Sequence, residues 1–277
     1  MTCDSRGPGA LDHEPCRYGR SKLTFRGPKR VLDRPYMAFL GGCETFGRFM
    51  RSPYPALVEA GSGKTCVNLG LANAGIDAYL NDGPVMEILD RADLTIVELL
   101  GARNLNNRFY QVHTRRNDRF IAASEALRAL YPKVDFSEFH FTGHLLDHLY
   151  RTCPERFATL KADLQRAWLR AMRLLLGRIG SRCMLLGLAE PAPRYHAGIA
   201  SVSRRQTPAF VTREMIAQIA PLADGLVEVI VPPRAAGAAD DDMAFSEMEA
   251  PAAARMLGGA AHREVAAQIL ARVSAKV

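Results

Sequence analysis

Five short apolar runs constrain this chain more than any other feature. They are Tyr36–Leu40, Thr65–Leu69, Leu94–Leu100, Cys183–Leu188 and Leu226–Val231, each bounded by turn residues. Between them lie stretches that read as helices: Pro53–Ala60, Val85–Ala92 and Thr212–Ala220, with the last helix inside Pro251–Val273. Runs that are apolar throughout, rather than alternating, belong to strands buried on both faces. They predict a parallel sheet covered by helices on either side. Five such strands joined by helical crossovers predict an α/β fold, a flavodoxin-like three-layer α/β/α sandwich with a five-stranded parallel sheet.

Two segments break the rhythm. Residues 1–34 are polar, punctuated by Gly and Pro, and basic, with Arg17, Arg20, Lys22, Arg26, Lys29 and Arg30 around a short strand at Lys22–Phe25. They are expected to form a basic N-terminal arm laid over a domain spanning 35–277. The block 120–177 reads as three helices, Phe120–Leu130, Glu138–Tyr150 and Glu155–Leu176. In the last, Phe157, Leu160, Leu164, Trp168, Met172 and Leu175 recur at helical spacing. This predicts a helical insertion between the third and fourth strands. The Ala/Asp-rich 235–242 reads as a loop.

Apolar residues make up 48% of the 277 and charged residues 23%, which excludes a disordered or collagen-like chain. The net charge of +7 hints at an anionic partner, although an arginine-heavy balance also follows from a GC-rich genome. Cys3, Cys16, Cys43, Cys66, Cys153 and Cys183 show no paired spacing and read as reduced thiols. With no apolar leader and no run of 18 apolar residues, the expectation is a cytoplasmic protein with no membrane span.

Three features imitate known chemistry. Gly61-Ser62-Gly63-Lys64-Thr65 ends like a phosphate-binding loop. The full motif needs a glycine where Val58 stands, and a helix rather than a strand after the lysine, so a helix-to-strand turn is the better reading. His140, His144 and His148 recur every four residues, but on a helix the outer pair would stand ~12 Å apart, too far to share one metal ion. No metal is expected. The third is Arg103–Arg119, where Arg103, Arg108, Arg115, Arg116 and Arg119 are interleaved with Phe109, Tyr110 and His113. Such a mixture can bind single-stranded nucleic acid. No nucleic-acid signature accompanies it, and the expectation is instead a local anion or sugar site. The loop leaves the carboxyl end of the third strand, where open α/β sheets bind ligands.

That same edge collects the residues with chemistry. The first run leads into Gly41-Gly42-Cys43-Glu44-Thr45-Phe46-Gly47, a tight turn that exposes the thiol. The second ends Asn68-Leu69-Gly70 and the third Gly101-Ala102-Arg103-Asn104. Together these resemble the SGNH (GDSL-type) hydrolase superfamily, whose blocks are G-D-S-x-T-x-G, a glycine in an N-x-G context, and G-x-N-D. The resemblance covers about 36–110 and, more weakly, 180–275. It implies that Cys43 stands in the nucleophile position, with Gly70 and Asn104 as oxyanion donors. It also places Gly42, Glu44, Arg103, Asn106 and Arg108 around the substrate. Cys43 replaces serine, Gly42 replaces aspartate, Asn104 stands one residue late, and the final D-x-x-H is absent. His262, at the start of the last helix, is the base candidate; His196, Glu247 and Glu249 are the alternatives.

The resemblance implies a hydrolase or acyltransferase acting on an ester of a small molecule or glycan, with no cofactor. Two other readings stand beside it. One is a degenerate module binding an anionic or saccharide ligand at the same edge. The other is transfer of an anionic group onto a polysaccharide. A histidine or carboxylate within reach of the Cys43 sulfur separates catalysis from binding.

Overall fold

All five apolar runs form strands of one parallel sheet. The computed structural model describes residues 11–189, 208–231 and 242–274; His196, Cys3 and most of 235–242 lie outside them. In chain order the elements are β1 (Tyr36–Gly41), α1 (Cys43–Phe46), α2 (Tyr54–Ser62), β2 (Thr65–Gly70), α3 (Ile76–Leu80), α4 (Gly83–Asp90) and β3 (Leu94–Glu98). A hairpin follows, β4 (Tyr110–Val112) and β5 (Phe120–Ala123), then α5 (Glu125–Leu130), α6 (Thr142–Thr152) and α7 (Pro154–Arg178). The chain returns through β6 (Cys183–Ala189), α8 (Arg213–Ile219) and β7 (Gly225–Ile230), then α9 (Ala250–Ala253) and α10 (Gly259–Ser274).

The sheet order is β2-β1-β3-β6-β7, all parallel. Counting only the strands of this sheet, that is the 2-1-3-4-5 order of doubly wound folds. Side chains of β1 alternate between two cores. Tyr36, Ala38 and Leu40 join the core that also takes residues of α4 and α7, while Met37 and Phe39 join the one shared with α2 and α10. Both faces are therefore buried, which is why the strand reads as continuously apolar. The chain leaves β1 towards β2 through α2, then crosses back over β1 to β3 through α3 and α4. The order in which the chain moves across the sheet reverses at β1, which puts the topological switch point at the carboxyl ends of β1 and β3, where open α/β sheets bind ligands.

The segment before β1 is bound into the domain from Cys16 onward. Tyr18, Leu23 and Phe25 are buried in the α4–α7 core. Asp82 explains the register: as the N-cap of α4 its carboxylate accepts from Val85 N–H, and its other oxygen accepts from Ser21 Oγ at 2.9 Å and Lys22 N–H. Of the expected strand Lys22–Phe25, only Phe25 pairs, in an isolated bridge to Cys16.

The block 120–177 differs from expectation at its start. Phe120–Ala123 is not helical; it pairs antiparallel with β4. Phe120 points into the core and Ile121 out, a period of two that tertiary pairing enforces over local helix preference. The helix begins only after Ser124, whose side chain caps it by accepting from Leu127 N–H. Phe136–Glu138 is a single 3-10 turn, and α6 starts at Thr142, which leaves His140 off the helix. α7 has the expected apolar stripe, and Trp168 donates its indole N–H to Leu100 O at 2.7 Å, locking α7 to the end of β3. No described helix is long and apolar enough to cross a membrane.

Candidate functional site

The site is built on the turn from β1 into α1. A Cβ at Gly41 would overlap the side chains of Thr45 and Glu98, and one at Gly70 would overlap the Phe46 backbone nitrogen and come within 2.7 Å of its Cα. Two glycines thus let α1 sit directly on the ends of β1 and β2. Asn68 ties the same joint, donating to Thr45 O at 2.7 Å and accepting from Gly70 N–H at 2.8 Å.

Beneath the turn lies Glu98, the last residue of β3 and fully surrounded by protein. Its Oε2 accepts from Gly42 N–H at 2.9 Å, from Thr45 N–H at 3.3 Å and from Thr45 Oγ1 at 2.5 Å. The Tyr54 hydroxyl continues this chain to Thr45 Oγ1. Burial raises the Glu98 carboxyl, and the three donors pull it back. Glu98 was not among the residues singled out from the sequence. Its signal was there: one acid in an otherwise apolar strand.

Cys43, the first residue of α1, is half-buried. Among the described residues, the hydrogen bonds to its sulfur come from Asn73 alone, whose N–H donates to Sγ at 3.1 Å while Oδ1 lies 3.4 Å away. Burial pushes the thiol up to about 11; the Asn73 N–H lowers it, the Glu44 and Glu98 charges raise it, and Arg103 lowers it. Asn73 is the second residue the sequence reading passed over. It stands in the turn after β2 with φ +57°, a left-handed conformation that asparagine tolerates, and its Nδ2 reaches Asp118 Oδ2 at 3.4 Å.

Glu44 follows the cysteine. Both its oxygens accept from Leu257 N–H, at 3.2 and 3.4 Å, and Oε2 lies 3.9 Å from His262 Nε2. His262 is fully buried on α10. Its Nδ1 accepts from Tyr54 N–H at 3.1 Å, so the ring's proton resides on Nε2 and faces Glu44, and the ring stacks on Tyr54. Burial, with the Glu98 charge adding, pushes the Glu44 carboxyl up to about 8, against the pull of Leu257 N–H.

The sequence-derived residues therefore divide. Gly42, Cys43, Glu44 and Gly70 meet around α1, with His262 behind Glu44 rather than hydrogen-bonded to the sulfur. Gly70 spends its N–H on Asn68. Asn104 is buried; its amide donates to Asn73 O at 3.1 Å and its oxygen accepts from Thr142 Oγ1 at 2.7 Å, so it acts on the thiol's neighbour. Asn106 binds Asp77 Oδ2 through N–H and Nδ2, at 2.6 and 2.8 Å, holding its loop to α3. Arg108 turns towards α7, with its N–H on Asp163 and its guanidinium over Phe109. Glu249 caps its own turn through Ser246 and pairs with Arg48.

His144 and His148 pack about the Phe139 ring, and among the described residues no cluster of His, Cys, Asp or Glu has metal-binding geometry. Gly63 ends α2 at φ +68° and leads into β2, a helix-to-strand turn. One cavity of about 260 Å³ lies at the amino ends of the strands beside Met37 and Leu94, and one of about 760 Å³ between the N-terminal segment and α4. Topology and chemistry place the candidate site at the other end of β1.

The fold and this turn define a doubly wound α/β/α protein carrying a thiol and a high-pKa carboxyl at its topological switch point. The chain belongs to the family described as a domain of unknown function (DUF6473), whose model matches residues 1–277. Among solved structures it is similar to a family two carbohydrate esterase from Clostridium thermocellum, determined in complex with cellohexaose. That likeness has a TM-score of 0.41 at 11% identity, covering 91% of this chain and 67% of that one. No curated protein matches the chain.

Proposed function

We propose that the crevice at the ends of β1 and β3 carries out acyl-ester chemistry, as a hydrolase or acyltransferase on a small molecule or glycan, with Cys43 as nucleophile and Glu44 as its general base. The observation that carries this reading is that the Glu44 charge acts on the Cys43 thiol, the two residues following one another at the start of α1. A carboxyl near 8 can exchange protons at neutral pH, and Leu257 N–H holds it in place with His262 Nε2 3.9 Å away. The thiol, at about 11, is protonated at neutral pH and needs that base. In the step proposed, Glu44 takes the thiol proton as sulfur bonds to the ester carbonyl carbon. The carbon–oxygen bond then breaks, the departing alkoxide receives the proton from Glu44, and water or an acceptor alcohol cleaves the thioester. The Asn73 backbone N–H, donating to the sulfur, favours the thiolate as it forms.

The test is hydrolysis of short-chain aryl esters by wild type, Cys43→Ala, Cys43→Ser and Glu44→Gln across pH. Wild-type kcat/KM is expected to rise with pH through about 8, the value at which Glu44 ionises. Cys43→Ala and Glu44→Gln are expected to lose ~10²-fold or more, and Cys43→Ser to retain activity. Equal rates in all four proteins refute the chemistry. A second reading, ligand binding without turnover, is favoured by two observations: among the described residues no histidine or carboxylate is hydrogen-bonded to the Cys43 sulfur, and Gly70 N–H and the Asn104 amide are both bonded inside the protein.

A further inference from the structure

The loop 113–119 carries arginines that the chemistry above does not use. Among the described residues, the guanidinium groups of Arg103, Arg115, Arg116 and Arg119 have no carboxylate partner within ion-pair distance. This loop borders the site. Asp118, immediately before Arg119, accepts from Asn73, which in turn holds the Cys43 sulfur. The Asp118 carbonyl accepts from Thr142 N–H at 2.9 Å, and Thr142 holds Asn104.

The loop is also tied down at its end. Arg119 forms an antiparallel bridge with Phe141, and Phe120 N–H donates to His140 O at 3.0 Å. The Arg119 guanidinium lies over the Phe141 ring, 5.6 Å from its centre, yet that ring is still 45% exposed. A guanidinium laid over an aromatic ring keeps its N–H edge free, the geometry that grips a carboxylate or sulfate with two parallel bonds. Two residues on, in β5, Ile121 is 54% exposed.

We infer that Arg119 and Phe141, on the loop that also carries Arg116, form a recognition rim for an acidic saccharide, whose sugar face lies on Phe141 and Ile121 and whose carboxylate or sulfate is held by the arginines. A saccharide is favoured over single-stranded nucleic acid by burial. Of the aromatics interleaved with these arginines, Phe109 and Tyr110 are sunk in the core and only His113 is half-buried, and Phe120 just beyond is buried too, so this segment offers no row of exposed stacking platforms. The inference deepens the proposed function by naming its substrate class, and it rests on the crevice being the site. Its test is binding in a Cys43→Ala background, which separates loss of recognition from loss of chemistry.

Affinity for an oligogalacturonate and for a sulfated oligosaccharide is measured by calorimetry at low and physiological salt, with cellohexaose as the neutral comparison. Both acidic sugars are expected to bind more tightly than the neutral one, and more weakly as salt rises. Arg119→Ala should reduce affinity about tenfold or more. Phe141→Ala should reduce it several-fold and Phe141→Tyr restore it, while Arg213→Ala, an equal charge loss on α8, should change little. A preference between the two acidic sugars identifies the group recognised. Equal losses in Arg119→Ala and Arg213→Ala, indifference between acidic and neutral sugars, or tighter binding of a single-stranded oligonucleotide would each overturn the inference.

Discussion

Replacing Glu44 with glutamine should stabilise the protein at alkaline pH. Glu44 is 16% exposed and titrates near 8 when folded, against an ordinary value of 4.5. Between these two values the folded state holds a proton that the unfolded chain has released. Stability contributed by that proton is complete below about 4.5 and falls by roughly 1.4 kcal/mol per pH unit until about 8. The accumulated loss is on the order of 5 kcal/mol, a large share of the roughly 5–15 kcal/mol that holds a domain together. Glutamine has no proton to release, and its carbonyl oxygen can still accept from Leu257 N–H. Urea unfolding of wild type and Glu44→Gln at about pH 5, 7 and 9 should therefore give similar stabilities at the acid end. At the alkaline end the variant should be more stable by about 2 kcal/mol or more. Parallel curves, or a variant that loses ground as pH rises, would show that Glu44 is not the high-pKa carboxyl this packing makes it. Paired with the activity loss expected of the same variant, the gain would mark a group kept for function at the expense of stability.

Two further substitutions probe the foundations of α1. Gly70→Ala drives a Cβ into the Phe46 backbone and should destabilise the protein by about 2 kcal/mol; an unchanged urea midpoint would mean α1 does not rest on β2 as described. Arg26 is buried and donates to the carbonyls of Phe46, Gly47, Met50 and Arg51, while burial lowers its own guanidinium to about 10. Arg26→Ala strands these acceptors and should lower stability by about 3 kcal/mol, seen as a melting temperature lower by roughly 6–12 °C. Lysine, lacking the planar fork, should recover only part of it; a shift under about 2 °C in Arg26→Ala contradicts the assignment.

The positions of the strands and of the turn at Cys43 were legible because each depends on neighbours in the chain. Continuous apolar runs mark strands covered on both sides, and paired glycines after the first run mark a sharp exit at the sheet's edge. Phe120–Ala123 was illegible for the opposite reason. Its residues tolerate either state, and pairing with Tyr110–Val112 decided between them. The contacts of the candidate site show the same division. Glu98 and Asn73 meet α1 only because β3 and the turn after β2 converge there, and His262 reaches Tyr54 across 208 residues of sequence.

Local order along the chain thus determined the parallel sheet, its five strands and the thiol at the end of the first. Only the tertiary structure decided which groups surround that thiol: Asn73 on the sulfur, Glu44 between Leu257 and His262, and Glu98 beneath the turn. Hydrophobic periodicity is a property of successive residues and can be read in order. Desolvation and hydrogen-bond partnership depend on what packs across the crevice, and those neighbours come from strands and helices far apart in the chain.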